Sequence, residues 1–117
     1  MSDNLVSEKN IIGEDDIITF KTLMISPLTN LKSLNYHDAL LYCSLLDING
    51  YADWRMPDID DMNIIQSYLH EQLGTSSYWL SDKRILRAGG IVQQVTNEEV
   101  LEVIFMVRPV RTICPLL

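Results

Sequence analysis

The chain changes its hydrophobic period once, and that change limits its fold more than any other feature. From residue 35 to residue 73 apolar side chains recur three and four apart, the spacing that lines one face of a helix. Beyond residue 82 they alternate or run together, as they do in strands. Ahead of the helices, residues 17–25 (IITFKTLMI) are β-branched and apolar enough to form a first strand. A strand, two helices and then an antiparallel β meander predict an α+β chain, with two helices packed on a small antiparallel sheet.

Local signals bound these elements. Pro27 and the Ser/Thr/Asn content of 26–35 interrupt the first strand. Asn35 is positioned to cap the first helix, with Asp38 in its first turn where negative charge suits the helix dipole. Tyr36, Ala39, Leu40, Cys43 and Leu46 fall on one face of that helix, and Asn49-Gly50 reads as its stop. Pro57 holds Met56 out of helical geometry, Asp58 caps the second helix, and Asp61 sits where the partner of a capping box belongs. Ile59, Met62, Ile65, Leu69 and Leu73 keep helical spacing up to Gly74. SYWLS at 77–81 reads as a short strand, Gly89-Gly90 as a turn, IVQQVT at 91–96 as a half-buried strand and Asn97-Glu98-Glu99 as another turn. VLEVIFMVRPVRTI at 100–113 suits a central strand, with Pro109 marking a bulge or an edge because it removes a ladder donor.

With 117 residues and 47% hydrophobic side chains, the chain has enough apolar surface for one core. Nine basic residues against sixteen acidic ones leave a net charge of −7. Asp3, Glu8, Glu14, Asp15 and Asp16 against Lys9 alone make residues 1–16 an acidic N-terminal arm, with 17–117 as the single domain. Such a balance argues against nucleic acid and anionic membranes as partners, because both are polyanions. The one basic cluster, Lys83, Arg84 and Arg87 beside Asp82, reads as a solvated loop or as the electrostatic rim of a partner surface. No segment approaches the roughly 18–20 apolar residues of a membrane span, so no membrane insertion is expected. The start, MSDNLVSEKN, lacks the basic and apolar regions of a signal peptide. The expectation is a soluble chain, cytoplasmic at synthesis and open to packaging in a virion.

Three segments carry a resemblance. They are LNYHDALLYCSLLDINGYADWRMPDIDDM at 34–62, Tyr78-Trp79, and VRPVR at 107–111. Together, over about residues 17–113, they are similar to the Lcl C-terminal domain family of bacteria and phages. The resemblance implies a C-type-lectin-like fold, distantly related to formylglycine-generating and sulfatase-modifying enzymes. Met56 stands where the family usually has Leu, Asp58 where it has Thr, Leu80 where it prefers Ser, and Pro109 where members often have Cys. The stretch between Tyr78-Trp79 and VRPVR is short, which implies trimmed ligand loops. Read from the residues alone, Cys43 and Cys114 are two buried thiols or one bridge from the first helix to the C-terminal strand. Cys114 lies five residues beyond the family position, and the expectation is that both stay reduced.

Candidate binding residues follow from side-chain chemistry. Arg55, with five fixed donors, either locks the irregular chain around Trp54 or grips an acidic ligand. Trp54 itself is expected to be buried between helices and sheet. Tyr78 and Trp79 point to opposite sides of a strand, so one is expected to be buried and the other partly exposed, with core packing favoured over contact with a sugar or a flat apolar surface. Arg108 and Arg111 also oppose each other, one pairing with an acid between Asp53 and Asp61 and the other facing a partner. The acids Asp47, Asp53, Asp58, Asp60 and Asp61 lack a calcium-loop pattern, and Cys43, Cys114, His37 and His70 lack zinc spacing, so no metal or cofactor is expected. Cys43 and His37 lie six apart on different helical faces, leaving no nucleophile beside a base.

The sequence thus predicts a non-catalytic recognition module for a protein or glycan, or a small structural component of a virion that uses the same surface to associate with itself. Either way the surface is expected near the terminal strand and an 82–90 loop, with the apolar tail ending in Leu116 and Leu117 docked on the domain or on a partner.

Overall fold

A computed structural model describes residues 13, 15–88 and 90–113. The expectations for the arm over residues 1–12, for Gly89, and for Cys114 and the tail to Leu117 lie outside the described residues.

The first apolar segment is a hairpin rather than one strand. Strands β1 (Ile18–Phe20) and β2 (Leu23–Ile25) pair antiparallel around Lys21-Thr22. Lys21, at φ 55°, takes the left-handed conformation that reverses the chain between two apolar halves. After Pro27 comes a single 3₁₀ turn, Leu28–Asn30, and then a strand the sequence did not announce, β3 (Lys32–Leu34).

Helix α1 (Tyr36–Leu45) starts where Asn35 predicts, the Asn35 Oδ1 accepting the Asp38 amide at 2.8 Å. It ends at Leu45, earlier than the Asn49-Gly50 stop that the sequence suggested. Asn49 (φ 53°) and Gly50 (φ 86°) instead form the two-residue turn of a tiny hairpin, in which Ile48 and Tyr51 exchange backbone hydrogen bonds at 3.0 Å. Asp47 Oδ1 accepts the Gly50 amide and holds that turn. The same Asn-Gly chemistry serves both structures, and the local Asp47 contact decides between them.

Helix α2 (Ile59–Leu73) carries the full capping box. The Asp58 carboxylate accepts the Asp61 amide, and the Asp61 carboxylate accepts the Asp58 amide. A kink at Leu69 (φ −131°, ψ 28°) precedes the end at Gly74, whose φ of 59° suits glycine.

The remaining strands are β4 (Tyr78–Trp79), β5 (Arg84–Arg87), β6 (Ile91–Gln94), β7 (Phe105–Val107) and β8 (Val110–Thr112). They do not form a simple meander. One sheet has the order β1-β2-β8 and the other β3-β7-β4-β5-β6, with β7 parallel to β4. The reason lies in residues 95–104, which cross one face of the larger sheet with Val95 and Val100 buried, so that the chain re-enters between β3 and β4. The long 100–113 run is therefore a turn and two strands. At Arg108-Pro109 it leaves one sheet for the other, and the Pro109 carbonyl accepts the Ser26 amide.

Both faces of the larger sheet are covered. Tyr78 and Leu86 face a core with Met62 and Ile65 of α2 and with Leu23, Ile25 and Val110 of the smaller sheet. Trp79, Ile85 and Val107 face a second core with Tyr36, Ala39 and Cys43 of α1 and the 95–100 crossover. The result is an α+β arrangement with a helix on each side of a mixed sheet. Trp54 is buried at 4% exposure, as the sequence predicted, and its Nε1 donates to the Tyr51 carbonyl at 2.8 Å. No helix among the described residues is long and apolar enough to cross a membrane.

Candidate recognition surface

Helix α1 buries one face, and its outer face mixes the exposed polar residues His37, Asp38 and Ser44 with exposed leucines. Its inward positions Tyr36, Ala39 and Cys43 are buried. The other side holds leucines in water, with Leu40 at 41%, Leu41 at 57% and Leu45 at 74% exposure. Leu40 thus departs from the inward face assigned to it, and Leu46 lies beyond the helix, at its C-cap.

The helix is fixed from both ends. The Tyr42 hydroxyl donates to the Asn30 carbonyl at 2.7 Å, which folds α1 back over the chain leading into β3. The Tyr36 amide donates to the Val100 carbonyl, and the Tyr36 hydroxyl donates to the Ser81 carbonyl at 2.5 Å. The leucines are thus presented by a helix anchored at Tyr36 and Tyr42.

An open cleft lies on each side of them. One, of about 470 Å³, has Cys43, Trp54 and Met56 in its floor and Leu40, Arg55 and Asp58 at its rim. The other, of about 410 Å³, is lined by Lys32, Leu34, Asp38, Leu41, Tyr42 and Leu45. Burial pushes the Cys43 thiol up to about 12, so it is protonated near neutral pH and a poor nucleophile.

The residues singled out in the sequence occupy other roles. Arg55 donates from Nη1 to Asp61 Oδ2 at 2.6 Å and from Nη2 to Thr112 Oγ1 at 2.8 Å, and its backbone bridges Val110. It locks the 51–58 segment to β8. Burial raises the Asp61 carboxyl, but the Arg55 guanidinium and the capping amide outweigh it and hold the group below its ordinary value.

Tyr78 and Trp79 are both buried, at 2% and 0%, which corrects the expectation of one partly exposed ring. Strand alternation does point them apart, but each side has its own core. The Tyr78 hydroxyl donates to Leu73 O and the Trp79 Nε1 to Leu34 O.

Arg111 is the arginine that meets an acid, donating to Asp53 with Nε at 2.5 Å while its guanidinium lies 4.4 Å from the Tyr51 ring centre. Arg108 is fully buried and faces no partner. Its Nε donates to the Ser26 carbonyl and its Nη2 to Gln72 Oε1, while its Nη1 has no hydrogen-bond acceptor among the described residues.

Lys83, Arg84 and Arg87 do not form a free loop. Arg84 and Arg87 belong to β5, where Arg84 pairs with Asp82 at 2.6 Å and Arg87 donates to Gln93. Lys83 sits in the turn at φ 68°, its Nζ 6.0 Å from the Tyr36 ring centre.

No protein-family model matches the chain, and no curated protein matches its sequence.

Sequence reasoning missed Leu41 and Leu45. The signal was present in ALLYCSLL, residues 39–46, where leucines at 40, 41, 45 and 46 exceed what one helical face can hold.

Proposed function

We propose that the chain is a non-catalytic recognition module that contacts a protein through the outer face of α1. One observation carries this reading: a helix anchored to the body of the fold through Tyr36 and Tyr42 holds Leu41 and Leu45 more than half exposed between two open clefts. Burying a leucine side chain contributes about 1.5–3 kcal/mol, so a partner that covers this face gains directly.

A protein fits better than a glycan. Sugar binding favours exposed aromatic faces, and the exposed tyrosines are already engaged. Tyr51 lies under Arg111, and Tyr68 lies 4.1 Å from the Phe20 ring. The non-catalytic part of the reading is supported by the buried, protonated Cys43 thiol. The reading also includes the C-type-lectin-like fold of the Lcl C-terminal domain family, supported by the GYADWRMP segment, its capped helix and the buried Trp54. A fixed place in a larger particle is the second reading, favoured by the pairing of exposed leucines with a cleft on the same face.

A photo-crosslinking residue at position 45, with position 67 on the exposed side of α2 as the control, tests the proposal in the cell or particle that makes the protein. The expected result is protein adducts from position 45 and none from position 67. Equal labelling at both positions, or retention on a glycan array that depends on Tyr51 or Tyr68, would overturn it.

A further inference from the structure

Asn49-Gly50 is the chain's single Asn-Gly pair, and it forms the whole turn of the Ile48–Tyr51 hairpin. Both residues are exposed, and a Cβ added at Gly50 would meet nothing within 4 Å. An asparagine ahead of glycine is open to attack by its own backbone, because no side chain shields the following nitrogen. The other described asparagines, Asn30, Asn35, Asn63 and Asn97, precede Leu31, Tyr36, Ile64 and Glu98.

The backbone geometry governs that attack. Positive φ at both central residues, 53° and 86°, defines a type I′ turn. In such a turn the ψ of Asn49 is about 30°, which points the Gly50 nitrogen away from the Asn49 side chain. Ring closure needs that nitrogen beside the Asn49 Cβ, as in a type II′ turn with ψ of about −120°. Flipping the 49–50 peptide plane converts one turn into the other. Both turns close a two-residue hairpin, so the Ile48–Tyr51 bonds at 3.0 Å survive the flip. The Gly50 N–H does not keep its partner, because the flip turns it away from Asp47 Oδ1, which accepts it at 3.0 Å. Asp47 therefore holds the peptide in its unreactive orientation.

We infer that Asn49 is a site of spontaneous deamidation and that the Asp47–Gly50 hydrogen bond sets its rate. After the flip the Gly50 nitrogen bonds to Asn49 Cγ, and the Cγ–N bond of the side-chain amide breaks. The proton lost from Gly50 leaves with the departing ammonia. Water then opens the succinimide ring at either carbonyl, giving aspartate or isoaspartate at position 49. Isoaspartate routes the main chain through the side-chain carbon and lengthens a turn that has no spare residue. Tyr51 is what this turn positions. Its carbonyl accepts Trp54 Nε1 at 2.8 Å, and its ring centre lies 4.4 Å from the Arg111 guanidinium. Conversion thus loosens the segment that holds Trp54 in the floor of the cleft of about 470 Å³. The inference stands apart from the reading of α1 as a contact face.

Incubation of the full chain at mildly alkaline pH, followed by peptide mass spectrometry that separates isoaspartate from aspartate, tests this. The expected result is conversion at Asn49 well ahead of Asn30, Asn35, Asn63 and Asn97. Asp47→Ala should raise the rate at Asn49 several-fold. Asp47→Asn keeps the acceptor and should stay near the native rate. In concentrated urea the native and Asp47→Ala chains should convert equally, since the restraint belongs to the folded turn. Conversion that starts at another asparagine, or an Asp47→Ala rate no higher than the native one, overturns the inference. A difference between native and Asp47→Ala that persists in urea also overturns it, because the cause would then be the local sequence and not the turn.

Discussion

Arg55 and Val110 exchange both of their backbone hydrogen bonds, at 2.7 and 2.9 Å, across 55 residues of sequence. The Arg55 side chain extends the link, joining Asp61 at the start of α2 to Thr112 on β8. One residue thus ties the cleft rim, a helix cap and the smaller sheet together. Removing its side chain leaves Asp61, 8% exposed, with its capping bond but no cation. Arg55→Ala is expected to cost about 1–2 kcal/mol in chemical denaturation, the lower part of the range for charged hydrogen bonds because Arg55 is itself 40% exposed. A loss too small to measure would show that the backbone bridge alone suffices.

Acid should act through the same cluster. The Asp61 carboxyl is held below its ordinary value of 3.8, so below that value the unfolded chain takes up a proton more readily than the folded one. The stabilisation is present above pH 4 or so and is lost as pH falls through the lower folded value. Denaturation midpoints measured down the acid limb should fall in the native chain and fall less steeply in Asp61→Asn. Equal slopes would remove Asp61 from the account.

The Cys43 thiol behaves in the opposite sense. Burial raises it from 9.0 to about 12, so its contribution is complete below pH 9 and is lost as pH rises toward 12. In native protein at neutral pH the peptide containing Cys43 should resist alkylation, and it should react once the chain is unfolded. Mass spectrometry after iodoacetamide treatment reads this directly. Rapid native labelling would contradict the burial of α1 on the sheet.

How much of this was legible beforehand depended on whether the deciding contact was local. Asp58 and Asp61 specify the start of α2 within four residues, and the sequence placed it correctly. Asn49-Gly50 is equally local, but it serves a helix end and a tight hairpin alike, and the Asp47 side chain chose the hairpin. Core packing was the favoured reading of Tyr78 and Trp79, but one ring was expected to be partly exposed, because alternation fixes direction and not cover. Trp79 is covered by α1 and the 95–100 crossover, and Tyr78 by α2 and the smaller sheet, so the cover on each side comes from residues far off in sequence. VRPVR left open which of Arg108 and Arg111 turns inward, and it is Arg108 that is fully buried. Its burial follows from the change of sheet at Pro109, beyond the reach of periodicity. Leu41 and Leu45 were hidden differently, because apolar residues in a helix are assigned inward until their number exceeds the face.

Arg108 gives a further prediction. Its guanidinium is fully buried, and burial pulls it down to about 10, still charged at neutral pH. Arg108→Ala removes the donors serving Ser26 O and Gln72 and leaves a void, with an expected loss of about 3–5 kcal/mol. Arg108→Met fills the space without the charge and should lose clearly less. Urea denaturation of the two variants checks the order, and a smaller loss for alanine would contradict the packing described.

The central claim is that contact is made by the outer face of α1 and not by the basic β4–β5 hairpin or the terminal strand. Photo-crosslinking residues placed in turn at positions 41, 45, 83 and 112, in the cell or particle that makes the protein, test it most directly. The account predicts protein adducts from positions 41 and 45 and none from 83 or 112. Adducts confined to positions 83 or 112 would contradict it.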